Sequence, residues 1–122
     1  MSKRYSIPRS FKFAANGLKI AYDKEPNFRT HSVTTLIVLV AAYFFNFSTT
    51  EYAILILTIG IVLTLELINT AMEAIVNLVS PEIKDMAKIA KDVSAAAVLL
   101  AATLAVLVGI ILFLPKIILI LT

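Results

Sequence analysis

Between Asp92 and Lys116 the chain carries no charged side chain, and between Glu51 and Glu82 the only charged side chains in a mainly apolar run are Glu66 and Glu73. A hydrocarbon core needs about 20 apolar residues to cross. Backbone inside it must satisfy its own hydrogen bonds, which leaves helices and closed barrels. Runs this long without strand-like alternation fit helices. A large soluble protein can hide such helices, but a chain of 122 residues with 60% apolar side chains and a mean hydropathy of +0.93 has too little interior to do so. The composition therefore predicts an all-α integral membrane protein forming a single domain over residues 1–122.

Three apolar stretches set the expected spans, at about 31–48, 52–79 and 93–114. The first is the weakest, because its continuous apolar part covers only Val33 to Phe47 and needs His31, Ser32 and Ser48 to extend it. In the third, Ala97, Ala101, Ala105 and Gly109 recur every four residues, a small-residue stripe that lets helix backbones approach closely. "STTE" is read as the loop between the first two spans. "SPEIKDMAKIAKD" is read as the connector to the third, with Ser80 as N-cap and Pro81 at the first helical position.

Ahead of the spans, residues 9–23 read as an amphipathic helix. Phe11, Ala14, Ala15, Leu18 and Tyr22 share one side, and Lys12, Asn16, Lys19 and Asp23 the other. Pro8 suits its first turn and Pro26 stops or bends it. Such a helix either lies in the headgroup layer or packs on its own protein. Met1 to Lys24 has no uninterrupted apolar core and is not read as a secretory signal. With no cysteine, disulfides and thiolate metal sites are excluded.

Lysines and arginines are unevenly spread. Lys3, Arg4, Arg9, Lys12, Lys19, Lys24 and Arg29 precede the first span, Lys84, Lys88 and Lys91 lie in the 80–92 segment, and Lys116 follows the third. By the positive-inside rule the N-terminus and the 80–92 segment are cytoplasmic.

The second span carries the informative feature. Glu66, Asn69, Thr70, Glu73 and Asn77 fall within roughly 100° of arc on a helix. Glu66 lies about 21 Å along the helix from Tyr52, roughly 9 Å short of the cytoplasmic boundary of a ~30 Å core. A charge there costs at least about 2.5 kcal/mol, which makes it a functional candidate. Other polar groups converge on the same side: Glu25 and Arg29 before the first span, then Lys84, Lys88, Lys91 and Asp92. Carboxylates from several segments together with lysines suit a hard cation and phosphates, magnesium rather than zinc. Gly17, Gly60 and Gly109 make no phosphate-binding loop. A small ion- or proton-conducting oligomer with Glu66 as carrier also accounts for the buried carboxylate, but does not need Glu25, Glu73 and Lys91 at one interface. A purely structural membrane subunit explains still less.

"ELINTAMEA" (66–74) and "AKIAKDVSAAAVLL" (87–100), together with "NGLKIAYDKEPNFRTH" (16–31), resemble the bacterial integral-membrane lipid kinases, diacylglycerol kinase and undecaprenol kinase. The resemblance covers nearly the whole chain. It implies a homotrimer whose subunits have a surface helix and three spans and share their active sites, in the cytoplasmic membrane of a bacterium. It further implies phosphorylation of a lipid alcohol by magnesium-bound ATP, with no nucleic-acid partner. Carried over by position, Glu66 is the general base, Asn69 orients the reacting groups, and Glu25 and Glu73 hold the magnesium. ATP contacts are implied at Phe13, Glu25, Glu73, Asn77, Glu82, Ile83, Lys84, Lys91 and Asp92. Lipid contacts are implied at Ser10, Ala14, Ala15, Asn27, Phe28, Arg29, His31, Glu66 and Ala95. Asn77 stands where the family usually has aspartate, and Ser6 where it has arginine. "EPNFRTH" and the closing "FLPK" (113–116) look closer to the undecaprenol branch, with diacylglycerol as the alternative acceptor.

Overall fold

The computed structural model describes residues 4–82 and 84–122. Among them every regular element is a helix, with no strand: α1 spans Ile7–Lys24, α2 Pro26–Phe44, α3 Thr49–Val79 and α4 Asp85–Leu121.

The break between α1 and α2 is a single extended residue. Glu25 closes α1 by donating its N–H to the Ala21 carbonyl at 2.9 Å and opens α2 by accepting from the Arg29 N–H at 3.1 Å. Pro26 has no N–H and disfavours helical backbone in the residue before it, so α1 cannot run on through it. The Arg29 guanidinium donates to the carbonyls of Tyr22 at 3.2 Å and Asp23 at 3.4 Å, which the end of α1 leaves without helical partners. Ala21 is the buried residue of α1. Phe11, Leu18 and Tyr22 on its apolar side are exposed, so the rest of the chain does not cover that side.

α2 ends at Phe44 rather than near residue 48. Asn46 takes a left-handed conformation (φ 54), which asparagine tolerates better than most residues. The turn is closed by Asn46 N–H to Tyr43 and Phe47 N–H to Ala42, each at 3.1 Å. The segment expected as a loop, "STTE", instead starts α3. Ser48 Oγ accepts from the Glu51 N–H at 3.2 Å, and Glu51 Oε2 accepts from the Ser48 N–H at 2.7 Å. This reciprocal capping box makes Thr49 to Glu51 the first helical turn.

The start of the next helix also differs from expectation. Ser80 caps the end of α3, its N–H donating to Val76 at 2.8 Å, and its hydroxyl donates to the Glu82 carbonyl at 2.9 Å. Ser80 is thus occupied with the preceding helix and the bend, and Pro81 lies outside helix. α4 begins at Asp85, whose carboxylate suits the positive end of a helix dipole. At its far end α4 continues through Pro115 to Leu121, although the proline removes one helical hydrogen bond.

α3 and α4 are long and apolar enough to cross a membrane. With 31 and 37 residues they measure about 46 Å and 55 Å. They pair antiparallel: Lys116 Nζ meets Glu51 Oε2 at 3.1 Å at one end, and Lys91 meets Asn77 at the other. In the small-residue stripe of α4, Ala101 is buried, Ala105 and Gly109 half-buried and Ala97 exposed. The best-packed apolar cluster, Ala42, Phe47, Leu55 and Leu112, lies near the Glu51 end. There Phe47 packs on Phe113 with ring centroids 4.7 Å apart. Most other large apolar side chains, including Leu36, Leu57, Leu99 and Val106, are exposed. So extensive an apolar surface needs lipid or protein to cover it.

The capping box is the local device that fixes where α3 starts. Ser48→Ala is expected to lower the unfolding free energy in mixed micelles by about 1 kcal/mol, with Ser48→Asn restoring most of it. An unchanged unfolding midpoint for Ser48→Ala shows that the cap does not stabilise α3.

Candidate active site

The polar stripe of α3 begins at Glu66, whose residue is 3% exposed and is the buried charged group among the described residues. Helix α2 approaches it, bringing His31 Nε2 to 3.2 Å from Glu66 Oε1. This is ion-pair distance, but the alignment is not that of a hydrogen bond, and Oε1 has no hydrogen-bond partner among the described residues. Glu25 and Glu73 lie near enough to act on Glu66 electrostatically, as does His31 when protonated. The stripe thus lies within electrostatic reach of both the α1–α2 junction and the next two turns of α3.

A hydrogen-bonded chain fixes the middle of the stripe. Ser94 Oγ, on α4, donates to Asn69 Oδ1 at 2.8 Å. The Asn69 amide in turn donates through Nδ2 to Glu73 Oε1 at 3.3 Å. With its oxygen held by Ser94, the Asn69 amide has its nitrogen directed at the Glu73 carboxylate. Thr70 returns its hydroxyl to the Glu66 carbonyl at 3.0 Å and plays no part in the chain. One turn further on, Lys91 Nζ donates to Asn77 Oδ1 at 2.6 Å. The asparagine therefore keeps a lysine partner across the helix pair without a carboxylate.

The expected site residues separate into two groups. Glu66, Asn69, Glu73, Asn77, Lys91 and His31 come together along the facing sides of α2, α3 and α4, with half-buried Glu25 at the α1–α2 junction. Phe28 is buried beside that junction, and Arg29 ties it to the end of α1. The others are exposed: Ser10, Phe13, Ala14, Ala15 and Asn27 on α1 and α2, Glu82 and Lys84 in the connector, and Asp92 and Ala95 on α4. Asp92 pairs with Lys88 one turn back on its own helix. Ser10 donates to the Ser6 carbonyl at 3.3 Å, and Ile83 lies outside the described residues.

Sequence reading missed Ser94 and the contact that makes His31 a partner of Glu66. The signal for Ser94 was its spacing: three residues after Lys91, it shares a helix face with a lysine already chosen.

Among the described residues no group of three or more His, Cys, Asp or Glu side chains gathers as a metal site. Magnesium does not need one, since it is commonly held by one or two carboxylates together with substrate phosphates and water. Glu25 and Glu73 are the carboxylates that would be available to it.

A cleft of about 350 Å³ opens between α2, α3 and α4. His31 and Thr30 line it, and its walls run through Val38, Leu55, Ile59 and Val62 to Gly109 and Phe113. It is apolar except for threonines and His31.

Comparison with known proteins places the chain in a family. The family model described as prokaryotic diacylglycerol kinase matches residues 12–113. A diacylglycerol kinase of Synechocystis is 45% identical over 107 residues, covering 87% of this chain and 61% of that protein. The undecaprenol kinase of Bacillus subtilis is 36% identical over 108 residues, 88% of each. The diacylglycerol kinase of Escherichia coli K12 is 32% identical over 101 residues, 83% of each. The chain thus spans about three fifths of the length of the first relative and most of the length of the other two. It belongs to the prokaryotic diacylglycerol kinase family, whose members named here are lipid kinases.

Proposed function

We propose that this protein transfers the γ-phosphate of ATP to the hydroxyl of a membrane lipid alcohol, with Glu66 as general base. The observation that carries the reading is the buried Glu66 carboxylate on one helix face with Asn69 and Glu73. A lipid hydroxyl stays near the interface, so its base has to be held at that depth. The hydroxyl oxygen forms a bond to the γ-phosphorus, the bond from phosphorus to the bridging oxygen breaks, ADP departs, and the hydroxyl proton passes to Glu66. Phosphoryl transfer depends chiefly on positioning and charge neutralisation. Magnesium held by Glu25 and Glu73 would supply part of the latter. Lys91, fixed by Asn77, brings a cation to the same side. In this reading Asn69 orients the reacting groups, and Phe13, Glu82, Lys84 and Asp92 contact the nucleotide.

The reading includes three spans, with α2 as the first, a cytoplasmic N-terminus and 80–92 segment, and a homotrimer with shared sites. The apolar surface left open by one chain supports an assembly of that kind. We take undecaprenol as the acceptor, supported by "EPNFRTH" and by the mutual 88% coverage with an undecaprenol kinase. The 45% identity to a diacylglycerol kinase favours diacylglycerol as the second reading.

Transfer of labelled γ-phosphate by purified protein, with undecaprenol and diacylglycerol as separate acceptors, tests both. We expect product with the first, abolished by chelating magnesium; preference for the second reverses the acceptor assignment, and no product with any lipid alcohol overturns the kinase reading. Glu66→Gln is expected to lower kcat by at least about 100-fold, and a full rate in that variant removes Glu66 as base. Ser94→Ala, which releases the Asn69 amide, is expected to lower kcat by about tenfold, the equivalent of one hydrogen bond. Unchanged kcat there means that Asn69 does not depend on Ser94.

A further inference from the structure

Glu66 meets a difficulty that its burial creates. A general base that accepts a proton in each turnover must lose it before the next, and a carboxylate 3% exposed has little direct contact with water. The group facing it is the imidazole of His31, Nε2 at 3.2 Å from Oε1, and His31 is the chain's one histidine. The His31 side chain is 31% exposed in the single chain against 4% for Glu66, and it lines the cleft between α2, α3 and α4, so it reaches from the buried carboxylate to the open side of that cleft. It stands in the second turn of α2, close to the polar α1–α2 junction formed by Glu25 and Arg29. Lys91 and Ser94 of α4 are engaged elsewhere, with Asn77 and Asn69. Thr70, the polar residue one turn away on α3, is committed to a backbone carbonyl. Histidine is the side chain best suited to accept and release a proton near neutral pH.

We propose that His31 takes the proton from Glu66 after each phosphoryl transfer and delivers it to solvent, acting on the reaction through Glu66. This rests on the lipid-kinase reading. The hydroxyl proton, accepted by Glu66 as the new phosphate ester bond forms and ADP leaves, crosses from Oε1 to Nε2. The carboxylic acid returns to carboxylate and the imidazole becomes imidazolium. The imidazolium gives the proton to water or buffer at its exposed edge, and both side chains are restored. The misaligned contact fits a role that alternates: a hydrogen bond forms between the two groups when either one carries the proton, and need not persist otherwise.

The test measures steady-state phosphorylation of a lipid alcohol by the full chain, for wild type, His31→Ala and His31→Gln, with and without added imidazole. The expected result is a kcat lowered about tenfold or more in both variants, with KM for ATP and for lipid within about twofold of wild type. Added imidazole restores turnover in His31→Ala in a concentration-dependent way, while the bulkier glutamine limits its access in His31→Gln. A merely structural histidine would not show rescue by a diffusible proton acceptor. The relay is overturned by an active wild type with unchanged kcat in both variants. It is equally overturned by a loss confined to the lipid KM that imidazole does not relieve, which assigns His31 to the lipid headgroup. A wild type that phosphorylates no lipid alcohol overturns the kinase reading and the relay with it.

Discussion

The antiparallel pairing of α3 with α4 is the interaction on which the rest of the molecule depends. α3 must carry a row of polar side chains through a segment otherwise suited to hydrocarbon, and each such group is costly unless it finds a partner. α4 supplies two of those partners, Ser94 for Asn69 and Lys91 for Asn77, and α2 supplies the third, His31 for Glu66. The register of the pair is held at the far end by the aromatic cluster around Phe47 and by the contact of Glu51 with Lys116. Packing at one end thus keeps a polar arrangement at the other in place.

The fold was legible in the sequence wherever a physical rule had one solution. Apolar runs of that length, in so short a chain, fit membrane-crossing helices, and of the two outcomes open at Pro26, a bend or a stop, the chain takes the stop. The boundaries that were misread are those where two signals compete. "STTE" looks like a polar loop by composition, yet its Ser and Glu are at capping-box spacing and form the first turn of α3. Ser80 followed by proline looks like a helix start, but its amide and hydroxyl are used by the helix before it and by the bend. The third span was set at about 93–114, and α4 continues past it through Pro115 with the loss of one bond.

The polar stripe was legible on α3, where residues on one helix need only the helical period to be seen together. The contacts between helices were not legible. Periodicity says which face a residue shares but not what it meets, so Ser94 went unnoticed and His31 was assigned to the lipid alone. Asn77, where the resemblance led us to expect aspartate, has a partner in the structure: its amide oxygen accepts from the Lys91 ammonium as a carboxylate would, with less charge.

The pair formed by Glu51 and Lys116 has one further consequence. Lys116 is the lysine or arginine outside the N-terminal region and the 80–92 segment, and it lies against a carboxylate, with its ammonium 5.2 Å from the centroid of the Phe47 ring. Removing both members would leave the formal net charge of +3 unchanged. A lone charge moved through the full transmembrane voltage exchanges about 2.3 kcal/mol per 100 mV, whereas a neutral pair exchanges almost nothing. The aromatic end of the helix pair is therefore nearly blind to voltage through this contact.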